Sequence, residues 1–219
     1  MNNIDKMIAD IKSEVLYTRK MIGRDALDER VLNAMREVPR DEFVPENLKP
    51  FAYENGPLPI GHSQTISQPY IVALMTDLIN PDINDVILEV GTGSGYQAAI
   101  LSRLVAKVYS IEFIEELSAT ATDRLKNIGY HNIETCVGNG HLGWPEHAPY
   151  DGIIVTAAAT HIPQPLLEQL KPGGCMAIPV GLPNCHQELM LVEKDQSGET
   201  QVKSVLGVAF VPLVDDRRH

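Results

Sequence analysis

Residues Ile87 to Tyr96 read Ile-Leu-Glu-Val-Gly-Thr-Gly-Ser-Gly-Tyr. An apolar strand that ends in glycines and opens a helix lets the backbone turn tightly and lets a ligand approach the main chain closely. The spacing is G-x-G-x-G at Gly91, Gly93 and Gly95, with Tyr96 where a dinucleotide fingerprint would carry its third glycine. Glu89 stands two residues before Gly91. A carboxylate there repels a pyrophosphate and suits a cationic amine. S-adenosylmethionine has an amino group and a sulfonium and no phosphate, so it is the expected cofactor. A plain tight strand-to-helix turn would explain the glycines without any ligand.

Three further positions fit such a site. Glu112 closes the segment KVYSIE, 21 residues after Gly91. An acid there can accept hydrogen bonds from ribose hydroxyls, or merely begin the next helix, where acids are common. Asn139, in VGNGHLG, follows the third strand, where methyltransferase folds meet the adenine edge. Its amide can both accept and donate, and Asn-Gly is also an ordinary turn. In Gly61 to Pro69, hydroxyls and an amide cluster before a helix. They suit an anion, with Ser67 also able to act as the helix N-cap. After YDGIIVT come Ala157, Ala158, Ala159 and Thr160, where enzymes that methylate base amines carry Asn/Asp-Pro-Pro-aromatic. No general base is visible there, which fits a nucleophile already anionic at neutral pH, such as a carboxylate.

Other chemistries find little support. The seven histidines and three cysteines (Cys136, Cys175, Cys185) show no metal-ligand spacing, so no metal is expected and the thiols read as reduced, in a cytoplasmic protein. A net charge of −11 repels phosphate backbones. The longest basic run is Arg217-Arg218, so no nucleic-acid partner is expected. No apolar stretch nears the ~18 residues of a membrane span, and the N-terminus lacks the pattern of a signal peptide.

The elements that must position these residues follow from periodicity. Ile4, Met7, Ile8, Ile11 and Val15 recur at helical spacing. A second helix fits 28–37 with Asp28 as N-cap. Residues 38–69 hold six prolines and two glycines and read as a long irregular but packed stretch. A helix follows at about 68–79. From residue 85 strands and helices alternate, which predicts a parallel sheet with crossover helices. PQPLLEQLKPGG reads as a helix stopped by Lys-Pro-Gly-Gly, and the chain closes with a hairpin around Ser197-Gly198 and a long last strand. One domain is expected over 1–219: a helical and loop part over 1–80 that carries the substrate loop, and a cofactor-binding α/β core over 81–219.

VPRDEFVP, PIG…QTISQPY, ILEVGTGSGYQAA, YSIE, GNG…GWPEHAPYDGIIVTAAA, LKPGG…IPVG and FVPLV occur in this order over about 15–214. Together they resemble the protein-L-isoaspartate (D-aspartate) O-methyltransferases. The resemblance implies a Rossmann-like S-adenosylmethionine-dependent methyltransferase fold: an α/β fold with a mostly parallel sheet, an antiparallel C-terminal hairpin strand and an N-terminal helical extension. It implies methyl transfer to the α-carboxylate of L-isoaspartyl residues in damaged proteins and peptides, which are the expected partners of a monomeric enzyme. By position, Ser67 would be the catalytic serine. Ile66, Glu89, Gly91, Gly93, Gly95, Glu112, Asn139 and Gly140 would bind the cofactor. Thr65 and Ser67, with a last strand ending Val211-Pro212-Leu213, would hold the substrate. Two residues depart from the family pattern: Ser63 replaces a glycine and Asn139 an aspartate. Neither is a reacting group. The rival readings are a methyltransferase on another acceptor and a non-catalytic S-adenosylmethionine-binding module.

Overall fold

The computed structural model describes residues 2–183 and 185–214; the Arg217-Arg218 pair lies outside the described residues. The core is a seven-stranded sheet in the order β5-β4-β3-β6-β7-β8-β9. Its strands are β3 (Val86–Val90), β4 (Lys107–Glu112), β5 (Ile133–Val137), β6 (Tyr150–Val155), β7 (Leu170–Gly181), β8 (Gln187–Lys194) and β9 (Thr200–Val208). Strands β3 to β7 pair in parallel. β8 runs antiparallel to both β7 and β9, so the terminal hairpin supplies one reversed strand. β3 and β6 are buried along nearly their whole length, as strands covered on both faces must be.

β4 lies on one side of β3 and β6 on the other. The chain reverses direction of travel at β3, and the carboxyl ends of β3 and β6 are left open as a crevice. Helix α4 (Tyr96–Ser102) leaves β3 through the glycine turn, and α5 (Glu115–Ile128) leaves β4 and ends on Gly129 in the left-handed region.

The N-terminal helices behave as the periodicity predicts. α1 (Asn3–Ile22) buries Met7, Ile8, Ile11, Val15 and Ile22. α2 (Glu29–Glu37) is capped by Asp28, whose side chain accepts from the Arg30 amide at 2.7 Å. The stretch 38–69 is packed, as expected, and more ordered than irregular. It holds 3-10 turns at Arg40–Phe43 and Glu46–Phe51 and a small hairpin, β1 (Leu58–Gly61) and β2 (Gln64–Ile66). The hairpin turns on His62 and Ser63, both left-handed at φ 51° and 57°, the conformation a two-residue hairpin turn requires. Ser63 therefore occupies a backbone shape that favours the family's glycine. Ser63→Gly is expected to raise stability by ~0.5–1 kcal/mol, since relieved strain outweighs glycine's entropy cost; urea titration measures it.

Two expectations about element ends are corrected. Helix α6 spans only Gln164–Gln169, and Lys171 to Gly174 belong to β7. Leu170 pairs with Tyr150 and Cys175 with Gly152, so four residues bulge opposite Asp151. The bulge is held by Lys171 Nζ, which donates to Asp151 Oδ1 and Oδ2 at 2.7 and 2.8 Å. The last strand ends at Val208, not at Leu213. Gln187 grips the Phe210 backbone from both sides, accepting from its N–H at 2.6 Å and donating to its carbonyl at 3.1 Å. The chain then leaves the ladder and crosses the end of β6, where Val211 and Leu213 exchange 2.8 Å backbone bonds with Ala158.

Candidate active site

The crevice is built at the ends of three strands. β3 delivers Glu89, β4 delivers Glu112 and β6 ends beside Thr156. Gly91 sits at φ 98°, and a Cβ there would come 2.3 Å from the Thr156 hydroxyl oxygen, which donates to the Gly91 carbonyl at 2.6 Å. The turn is thus closed against β6 by an oxygen that only a glycine admits. Above it, the Ile60 side chain of the β1–β2 hairpin comes within 3.4 Å of a Cβ at Gly93, so the hairpin roofs the glycine turn. Gly95 is buried at the start of α4 against Leu125.

Glu89 is fully buried. Its Oε2 accepts from the Ser110 hydroxyl, which in turn lies 2.6 Å from the Thr92 hydroxyl. Its Oε1 has no hydrogen-bond partner among the described residues. Burial pushes the carboxyl up to about 8; the Ser110 hydroxyl and nearby Ala98 amide pull downward, while neighbouring Glu112 pushes further up. A buried carboxyl oxygen without a partner is costly unless a ligand serves it. Glu112 is better satisfied, its two oxygens accepting the Gly93 and Ile114 amides at 2.8 and 3.0 Å. Each oxygen keeps a lone pair for a further donor. Two carboxylates beside a glycine turn fit the donors of S-adenosylmethionine: the unpartnered Glu89 oxygen could serve an amine and Glu112 ribose hydroxyls.

Of the residues singled out in the sequence, Thr65, Ile66, Ser67, Glu89, Gly91, Gly93, Glu112, Gly140, Val211, Pro212 and Leu213 line one cleft. Gly95 lies behind its wall. Asn139 does not line it; its Oδ1 accepts from the His141 amide at 3.0 Å and caps a short 3-10 turn. With that oxygen committed to the cap and the side chain outside the cleft lining, Asn139→Asp is expected to leave S-adenosylmethionine binding within ~0.5 kcal/mol of wild type, measured by calorimetric titration.

Ser67 is not the N-cap of α3 (Pro69–Leu78). That position is Gln68, with no side-chain cap bond, and the Asn55 side chain accepts from the Tyr70 amide at 3.1 Å instead. The Ser67 hydroxyl has no partner within the chain among the described residues and is left to the cleft. Its carbonyl is held by Arg40, a fully buried residue that the sequence reading passed over. Arg40 Nη2 donates to the Ser67 carbonyl at 2.9 Å and Nε to the Ala52 carbonyl at 2.7 Å, and its guanidinium lies 4.8 Å from the Tyr96 ring centroid. The available signal was its place in VPRDEFVP, although Asp41 and Glu42 beside it are charged as well. Arg40→Lys is expected to cost ~2–3 kcal/mol, because one ammonium cannot serve both carbonyls; chemical denaturation measures it.

Tyr96, read from the sequence only as the residue that breaks a dinucleotide fingerprint, and Thr156, which was not anticipated, also line the cleft. Thr156 closes an apolar strand and resembles any strand-end threonine; only its contact with Gly91 marks it.

The sequence pattern of the protein-L-isoaspartate(D-aspartate) O-methyltransferase family matches residues 12–218. A relative from Syntrophobacter fumaroxidans named protein-L-isoaspartate O-methyltransferase 2 is 60% identical over 208 residues, 95% of this chain and 84% of that protein. One of the same name from Nitrosococcus oceani is 55% identical over 213 residues, 97% of each. A solved structure named protein-L-isoaspartate O-methyltransferase superposes with a TM-score of 0.85 at 26% identity, covering 97% of this chain and 66% of that one. No helix among the described residues is long and apolar enough to cross a membrane. With the glycine turn, the two strand-end acids and the serine loop gathered in one crevice, the chain belongs to the protein-L-isoaspartate(D-aspartate) O-methyltransferase family.

Proposed function

We propose that the chain transfers a methyl group from S-adenosylmethionine to the α-carboxylate of L-isoaspartyl residues in damaged proteins and peptides. It would do so as a cytoplasmic monomer with no nucleic-acid or membrane partner. The observation that carries the acceptor assignment is the placement of Ser67. It borders both the cleft of Glu89 and Glu112 and a second, open groove, and its hydroxyl is uncommitted.

S-adenosylmethionine supplies an electrophilic methyl on a sulfonium. The chain supplies binding and aim. Glu89 meets the ammonium of the ligand, Glu112 accepts from its ribose hydroxyls, and Gly91 and Gly93 let it approach the backbone. An isoaspartyl carboxylate is already ionised at neutral pH, so no base is required. Ser67 donates a hydrogen bond that orients it, and the apolar surroundings of Ile66, Ala157 and Val211 limit its hydration. Annihilation of opposite charges is favoured where water is scarce, and orientation lowers the entropic part of the barrier. The methyl ester then cyclises without further help, the following backbone nitrogen attacking the ester carbonyl and expelling methanol, and water opens the resulting succinimide in part to normal aspartate. Residues 1–80 carry the acceptor loop and 81–219 the cofactor site, within one domain.

The test is methyl transfer from labelled S-adenosylmethionine to an isoaspartyl peptide beside its aspartyl isomer. Label in the isoaspartyl peptide alone is expected. Equal labelling of both, or label only in a small-molecule acceptor, overturns the reading.

A further inference from the structure

We propose that the groove between α1 and the end of β9 binds the residues flanking the isoaspartate and favours apolar side chains there. This rests on the acceptor assignment above. Thr65, Ser67, Thr156 and Val211 border both the cofactor cleft and this groove, which measures about 670 Å³. A carboxylate aimed by Ser67 therefore leaves its own chain lying in the groove, and that continuity identifies the occupant.

One wall is a stripe of α1. Glu14, Tyr17, Thr18 and Met21 line the groove, at the i, i+3, i+4, i+7 spacing of one helix face. Tyr17 is 82% exposed and Met21 53% exposed, although α1 meets its core through other positions. The fold makes no use of these two side chains. Thr18 fixes the stripe to the core, its hydroxyl lying 2.6 Å from that of Tyr70. The opposite wall is Leu206, Val208 and Phe210, from the sheet's edge strand and its extension. An aromatic ring, an adaptable thioether and this apolar wall make a surface that gains by covering with apolar groups.

The experiment compares two isoaspartyl peptides, one with glycine on both sides of the isoaspartate and one with leucine on both sides. The wild-type protein is expected to favour the leucine peptide in kcat/KM by ~10-fold, the effect of partly burying such side chains. The double variant Tyr17→Ser/Met21→Ser is expected to bring that ratio near one, through KM rather than kcat. Leu16→Ser, also exposed on α1 but outside the groove, is expected to keep the wild-type ratio. A wild-type ratio near one, a ratio unchanged in the double variant, or an equal fall in Leu16→Ser overturns the proposal while methylation of the glycine peptide leaves the proposed function standing. Absence of methylation of both peptides by the wild type overturns both.

Discussion

Glu89→Gln is expected to weaken S-adenosylmethionine binding by ~10–100-fold at pH 7.5, the worth of one charge-assisted hydrogen bond of about 1.5–3 kcal/mol. The same substitution is expected to stabilise the ligand-free protein at that pH. Burial pushes the Glu89 carboxyl up to about 8 from an ordinary value of 4.5. Below pH 4.5 the group is neutral in both folded and unfolded chains. Between 4.5 and 8 the unfolded chain has released its proton while the folded chain retains it, so stability falls as pH rises through that window and levels off above it. Glutamine does not titrate, and the variant should lose this slope. Binding carries the opposite sign. The ammonium of the ligand favours the carboxylate, so wild-type binding takes a proton away and tightens between pH 6 and 7.5, below the range where a free α-amino group itself deprotonates. The expected gain across that interval is ~10-fold. Calorimetric titration and urea unfolding at several pH values measure both effects. A variant that binds as tightly as wild type, or a wild-type affinity flat in pH, removes Glu89 from the ammonium site.

Ser67→Ala is expected to lower kcat on an isoaspartyl peptide by ~10²-fold, the usual effect of removing one hydrogen bond made to a charged reacting group. Cofactor affinity and folding stability should stay close to wild type. The hydroxyl has no partner within the chain among the described residues, α3 is capped by Asn55, and the Ser67 carbonyl keeps its bond to Arg40. Steady-state kinetics with calorimetry and thermal unfolding separate the three quantities. A variant with wild-type kcat/KM would show that Ser67 does not aim the acceptor.

The glycine turn was legible because its chemistry is local. Gly91, Gly93 and Gly95 all take left-handed backbone within one five-residue turn, a demand that their own types and spacing announce. The alternation of strands and helices after residue 85 was legible for a similar reason, since apolar runs bounded by turn residues carry their own periodicity. Asp28 capped α2 as read, because an N-cap is satisfied within three residues.

Where the reading failed, two distant segments compete for one local signal. Lys-Pro-Gly-Gly after α6 has the composition of a helix stop, and only Asp151 on the neighbouring strand makes it a bulge. Val-Pro-Leu near the C-terminus continues an apolar pattern, yet Gln187 captures Phe210 and draws the segment off the sheet and over the cleft. Ser67 has the form of an N-cap, but Asn55, 15 residues from the Tyr70 amide it serves, takes that part and leaves the serine free. Thr156 gave no periodic or motif signal, and the motifs that hold Arg40 and Tyr96 carried no sign of their burial; a buried cation and a strand-end hydroxyl acquire their parts from what folds against them. The sequence alone determined the residues that can do chemistry and the order of the elements that carry them. The tertiary structure decided which polar groups were already satisfied and which remained open to a ligand, because satisfaction of a buried donor or acceptor depends on partners tens of residues away.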